Sequence, residues 1–133
     1  LKQLGLDEKT LVVFSSDNGP WWQGNPGYLR GRKLLCFEGG VRVPFLAWWP
    51  GAIPPGTTSS ELSINFDLFP TFLELAGVKP SSELDAVSLV PILKGDAITT
   101  PRDLYFVRRE GGKPYGGKNY EAIIRGDWKQ VAE

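Results

Sequence analysis

The sequence has 133 residues, with 15 Lys and Arg against 15 Asp and Glu, a single cysteine and no histidine. A net charge of zero with no Lys/Arg-rich run excludes the usual nucleic-acid or acidic-membrane binders, and no apolar run approaches a membrane span. One cysteine excludes an internal disulfide framework, and a hydrolase that worked alone without histidine would be unusual.

Leu1 to Leu6 reads as the last turn of a helix closed by Gly5, and Asp7 to Thr10 as a short loop. Leu11-Val12-Val13-Phe14 is then an apolar run of the kind found in strands buried on both faces, and it ends abruptly in Ser15-Ser16-Asp17-Asn18-Gly19-Pro20. Helix, loop and strand in this order form half of a right-handed crossover unit, and open α/β sheets bind ligands at the carboxyl ends of their strands. Asp17 offers a carboxylate and Asn18 an amide oxygen, hard donors suited to Ca²⁺ or Mg²⁺; Gly19 permits a positive φ. The same residues also spell an ordinary turn. Residues 21–29 include the turn formers Gly24, Asn25, Pro26 and Gly27 and should cross the strand ends as a loop, where Trp21, Trp22 and Tyr28 either stack on a sugar ring or fill the gap beneath the loop.

Further along come Arg30-Gly31-Arg32-Lys33, Glu38-Gly39-Gly40-Val41-Arg42-Val43-Pro44 and Leu46-Ala47-Trp48-Trp49-Pro50-Gly51. Glu38 and Arg42 flank two glycines where the chain must bend before a strand over 43–48, and a carboxylate-guanidinium pair there suits a scaffold role. Residues 52–60, rich in Pro, Gly, Thr and Ser, form a surface loop. Asp67 is the expected N-cap of a helix reaching Ala76, because Pro70 then lies in the first turn; Gly77 stops it. Leu68, Phe69, Phe72, Leu73, Leu75 and Ala76 supply its apolar face, which reads as core packing. Residues 79–85 read as a linker, and residues 87–93 carry another apolar patch ending at Lys94-Gly95-Asp96. From Asp103 the pattern turns to β: strands over 104–109, 120–125 and 128–131, with a glycine-rich loop over 110–118, predict a small antiparallel sheet. Arg108, Arg109, Lys113, Tyr115 and Lys118 on or near that loop form either a solvated rim or part of a sugar-binding surface.

Ser16-Asp17-Asn18-Gly19, Arg30-Gly31-Arg32-Lys33, the Glu38 to Pro44 segment and Trp49-Pro50-Gly51, in this order and spacing, closely resemble the carboxyl-terminal half of the type I sulfatases. Asp67 to Gly77, Leu84 to Leu89 and Ile124-Arg125-Gly126-Asp127-Trp128-Lys129 extend the resemblance over nearly the whole chain. The Leu46 to Gly51 wording is most similar to the arylsulfatase A and N-acetylgalactosamine-6-sulfatase branch. The resemblance implies the carboxyl-terminal part of an alkaline-phosphatase-like α/β fold. Residues 1–95 would belong to the catalytic α/β domain and residues 96–133 would begin a small antiparallel β subdomain.

It also implies a sulfate monoester hydrolase acting on a sulfated carbohydrate, with Asp17 and Asn18 as ligands of Ca²⁺ or Mg²⁺ and Lys33 holding a sulfate oxygen. Arg32, where most relatives have a second glycine, sets another cation beside that pocket and, with Trp21 and Trp22, is a candidate for substrate contact. The family's nucleophile is a formylglycine made from a Cys/Ser-x-Pro-x-Arg motif, which does not occur in these 133 residues. Cys36 lacks that context and reads as a buried small side chain. A chain that starts at Leu1 without methionine and ends just after a strand reads as a piece of a longer protein, expected to be silent alone and prone to self-association through uncovered edges. The family implies a periplasmic, secreted or lysosomal parent. The competing readings are a phosphoryl or phosphonate hydrolase of the same superfamily and a non-catalytic glycan-binding module.

Overall fold

The computed structural model describes residues 1–97, 101–109 and 117–132. Backbone contacts divide the chain into two compact units, one of Leu1–Phe14 with Leu46–Thr100 and one of Ser15–Phe45 with Pro101–Glu133.

The first unit opens on a 3-10 turn, Lys2–Leu4, with Gly5 in the left-handed region at φ 62°, as the C-cap reading requires. A second 3-10 turn, Asp7–Lys9, stands where a plain loop was expected; Thr10 Oγ1 donates to the Leu6 carbonyl at 2.6 Å and braces it. Strand β1, Val12–Ser15, pairs with β2, Phe45–Trp48, in a two-stranded sheet. The expectation of burial on both faces fails: Phe14 is 60% exposed, and Val12 is exposed on the same side. A sheet of two strands offers too little surface to cover both faces of either strand. Strand β2 also starts two residues later than expected, after Pro44.

A 3-10 turn, Asn65–Asp67, leads into helix α2, Leu68–Leu75, with Pro70 in its first turn and Gly77 at φ 68° just past its end. Asp67 does not cap α2 with its side chain. It is fully buried, and its carboxylate reaches back to accept the N–H of Ile64 at 2.8 Å and that of Val87 at 3.1 Å. Thr71, also fully buried, donates to the Asp67 carbonyl and accepts the Leu89 N–H at 2.8 Å, so a polar pair fixes the segment before helix α3, Val90–Lys94, against α2. The apolar face predicted for α2 remains open in part, with Phe69 and Phe72 exposed.

In the second unit, β3 (Asp103–Arg108), β4 (Tyr120–Arg125) and β5 (Trp128–Ala132) form the expected antiparallel sheet in the order β3-β4-β5. Leu104 pairs with Ile124 and Ile124 with Lys129, and Gly126, at φ 54°, closes the two-residue β4–β5 turn between Arg125 and Trp128. Asp103 holds Arg125 across the β3–β4 pair by a two-pronged contact, in which Arg125 Nε donates to Oδ1 at 2.7 Å. Arg125 in turn holds the Asp103 carboxyl below the usual carboxylate range. Helix α1, Glu38–Val41, is joined to this sheet by the Glu38–Lys129 ion pair and is a single helical turn where a simple bend was expected at Gly39-Gly40. Lys113 and Tyr115 lie outside the described residues. No described helix is long and apolar enough to cross a membrane.

Candidate functional site

The loop after β1 is held by backbone bonds. Gly19 N–H donates to the Gly40 carbonyl at 2.9 Å, Lys33 N–H to the Pro20 carbonyl at 3.0 Å, and Gly39 N–H to the Arg30 carbonyl at 2.7 Å. Segments 16–20 and 30–33 are therefore both docked on α1, which brings the Asp17-Asn18 loop and the Lys33 loop to the same end of the unit.

The close approach explains the glycines. Gly19 is not in the positive-φ region expected for it. Instead, a Cβ on Gly19 would run into the backbone of Gly39 and stand 2.9 Å from Gly40 Cα. Cβ atoms on Gly39 and Gly40 would strike the backbones of residues 30–31 and 32–35. Gly31 does take a positive φ, 84°.

Asp17 is exposed and Asn18 half-buried; the Asn18 amide donates from Nδ2 to Asp17 Oδ2 at 2.5 Å, and Ser16 Oγ donates to the Asn18 carbonyl at 3.0 Å. The amide nitrogen thus faces the carboxylate, leaving Asn18 Oδ1 as an oxygen donor beside Asp17. Among the described residues no group of three or more His, Cys, Asp or Glu could hold a metal ion. The pair fits a hard cation as a partial ligand set, since Ca²⁺ takes six to eight oxygens.

Lys33 is exposed and borders a cavity of about 770 Å³. Trp21 and Trp22, edge to face at 6.3 Å, line it together with Arg32, Arg108 and Tyr120. Tyr28 is exposed and does not line this cavity. Arg32 clamps the preceding turn: Nη1 donates to the carbonyls of Trp21 at 3.2 Å, Trp22 at 3.3 Å and Gly24 at 2.5 Å.

The Glu38-Arg42 pair is weaker than expected, at 4.0 Å between exposed ends. The close partner of Glu38 is Lys129 of β5, at 2.7 Å, which also lies over the Phe106 ring at 5.6 Å. The alternating burial of β5 turns Lys129 and Val131 inward, and that period of two was the available signal for Lys129. Arg108 Nη1 donates to the Leu34 carbonyl at 2.8 Å, tying the sheet to the lysine loop. Cys36 is buried, its sulfur 3.6 Å from the Tyr120 carbonyl, and burial pushes its thiol pKa up against the pull of Lys129 and Arg108. Such a thiol is inert packing, as the sequence implied.

The chain is similar to known proteins over most of its length. The Sulfatase family model matches residues 1–78. The chain is 37% identical over 137 residues to N-acetylgalactosamine-6-sulfatase of Canis lupus familiaris, covering 97% of this chain and 24% of that protein. It is 46% identical over 109 residues to arylsulfatase A of Homo sapiens, covering 77% of this chain and 21% of that protein. The chain therefore spans about a quarter of the length of these relatives. Among solved structures, Ps i-CgsB in complex with k-i-k-neocarrahexaose superposes with a TM-score of 0.85 at 33% identity, covering 100% of this chain and 30% of that one. Phosphonate monoester hydrolase of Agrobacterium radiobacter does so with a TM-score of 0.71 at 27% identity, covering 99% and 28%. The architecture is the carboxyl-terminal part of the alkaline-phosphatase-like α/β fold that these hydrolases share, and the chain belongs to the sulfatase family.

Proposed function

We propose that the parent of this chain hydrolyses sulfate monoesters of a sulfated carbohydrate, and that this chain contributes part of the metal site and one sulfate-binding cation. Asp17 and Asn18 would hold Ca²⁺, or Mg²⁺, through their oxygens, and the bound cation would supply charge neutralisation for the sulfate. Lys33 contributes a compact ammonium with three donors to a sulfate oxygen, and Trp21 and Trp22 form an aromatic wall for a sugar ring. The observation that carries this reading is the docking of both loops on one glycine-built helical turn, by Gly19 N–H to the Gly40 carbonyl and Gly39 N–H to the Arg30 carbonyl, with Lys33 N–H to the Pro20 carbonyl joining the loops to each other. A sugar substrate is supported by the neocarrahexaose bound to Ps i-CgsB and by a further relative of 30% identity and TM-score 0.80, solved with its substrate D-glucosamine-2-N,6-O-disulfate.

The nucleophile in this reading is a formylglycine in a part of the parent protein beyond this sequence. These 133 residues alone provide neither that nucleophile nor a histidine, so the isolated chain should be silent. Calcium titration of the full-length protein tests the metal assignment: Asp17→Ala should weaken binding by about tenfold or more, and unchanged affinity would remove Asp17 from the site. The likeness to phosphonate monoester hydrolase favours a second reading, phosphonate or phosphate ester hydrolysis on the same cation. Relative turnover of an aryl sulfate and an aryl phosphonate decides between the two.

A further inference from the structure

Arg32 is a cation where the family resemblance implies a glycine, and its geometry suggests a use. All three of its hydrogen bonds leave from Nη1 and end on neutral carbonyls of residues 21–24. The guanidinium is therefore fixed in place with no acidic partner among the described residues. Its Nε–Nη2 edge, which makes no hydrogen bond among the described residues, carries the parallel pair of N–H groups that matches a sulfate or carboxylate. The residue lines the cavity that Lys33 borders, beside Trp21 and Trp22, and the described residues lining that cavity include Arg108 but no acidic side chain. In a chain whose total charge is zero, so one-sided a lining marks selection for negative charge.

We propose that Arg32 binds a second anionic group of the substrate, a sulfate or carboxylate on the sugar carrying the scissile sulfate or on its neighbour, so that the preferred substrate is a polyanionic saccharide. This rests on the sulfatase reading of the parent and adds a specificity determinant to it. Lys33 takes the sulfate to be removed, the tryptophans take the ring face, and Arg32 reads the other charge. Preorganisation by the three carbonyls removes the entropy that a free arginine would lose on binding.

The experiment uses the full-length protein with two substrates, a mono-O-sulfated hexosamine and the same sugar bearing a second sulfate. Both kcat/KM and, with a slowly turned-over saccharide pair, Kd are measured. Wild type should favour the doubly sulfated sugar by about tenfold or more, the scale of one charge-assisted pair. Arg32→Gln should abolish most of that ratio through KM, and Arg32→Lys, which keeps charge but loses the two-pronged edge, should leave an intermediate ratio. Damage to the clamped turn alone would lower both substrates and leave the ratio intact. A ratio equal to wild type in either variant overturns the proposal. If wild type turned over neither sulfate ester, the sulfatase reading would fall, while the Kd ratio would still decide the role of Arg32.

Discussion

A methyl group at Gly19 has nowhere to go, because the backbone of Gly39 occupies its position and Gly40 Cα lies 2.9 Å from it. Both neighbours are main chain within a tied helical turn, so relief requires the Asp17-Asn18 loop to move. Gly19→Ala should lower stability by about 2–4 kcal/mol, a large effect for one methyl group, and weaken calcium binding as well. Thermal unfolding and metal titration of the full-length variant check this, and a loss below about 0.5 kcal/mol would contradict the close packing. Cys36 carries a second residue-scale expectation. Burial raises its thiol pKa in the folded chain, so as pH climbs through the ordinary thiol range the unfolded state loses its proton first and stability falls. Alkylation by iodoacetamide at pH 8 should be slow until denaturant is added, whereas rapid labelling of the native chain would contradict this burial.

At the scale of elements, the sheet β3-β4-β5 braces the candidate site and lines its cavity through Arg108 and Tyr120. Lys129 of β5, largely buried, holds Glu38 at 2.7 Å at the start of α1, and α1 receives the backbone bonds from Gly19 and to Arg30. Lys129→Met keeps the stem that covers Phe106 and removes the charge. It should cost about 1–3 kcal/mol, mostly from leaving Glu38 without its close partner. The double variant with Glu38→Gln should recover part of the loss; strict additivity of the two would mean that the pair is not coupled. Elements with a strong local signal were legible in the sequence: the Gly5 cap, the proline-tolerant start of α2 and its Gly77 stop, and the three terminal strands with their Gly126 turn. What was not legible depended on distant partners. Asp67 looks like a helix cap, yet it binds Val87 N–H twenty residues on. Glu38 looks like the partner of Arg42, but a lysine 91 positions away lies closer. Gly19 looks like a turn former, whereas its reason is steric and lies at Gly39. No local window contains those neighbours.

For the whole molecule, the family and the motif order were readable because several short segments had to agree in sequence and spacing. Burial was not, since β1 and α2 expose apolar side chains such as Phe14 and Phe69 on this chain, which spans about a quarter of its relatives. The central claim is that Lys33, presented beside the Asp17-Asn18 loop, holds the sulfate of an ester under attack. Turnover of an aryl sulfate by the full-length protein, wild type against Lys33→Ala in saturating Ca²⁺, tests it most directly. The account predicts that kcat falls about 10²–10³-fold, the scale for removing one electrostatic donor from a transition state, with the thermal midpoint nearly unchanged. An unaltered kcat in a folded Lys33→Ala protein would contradict it.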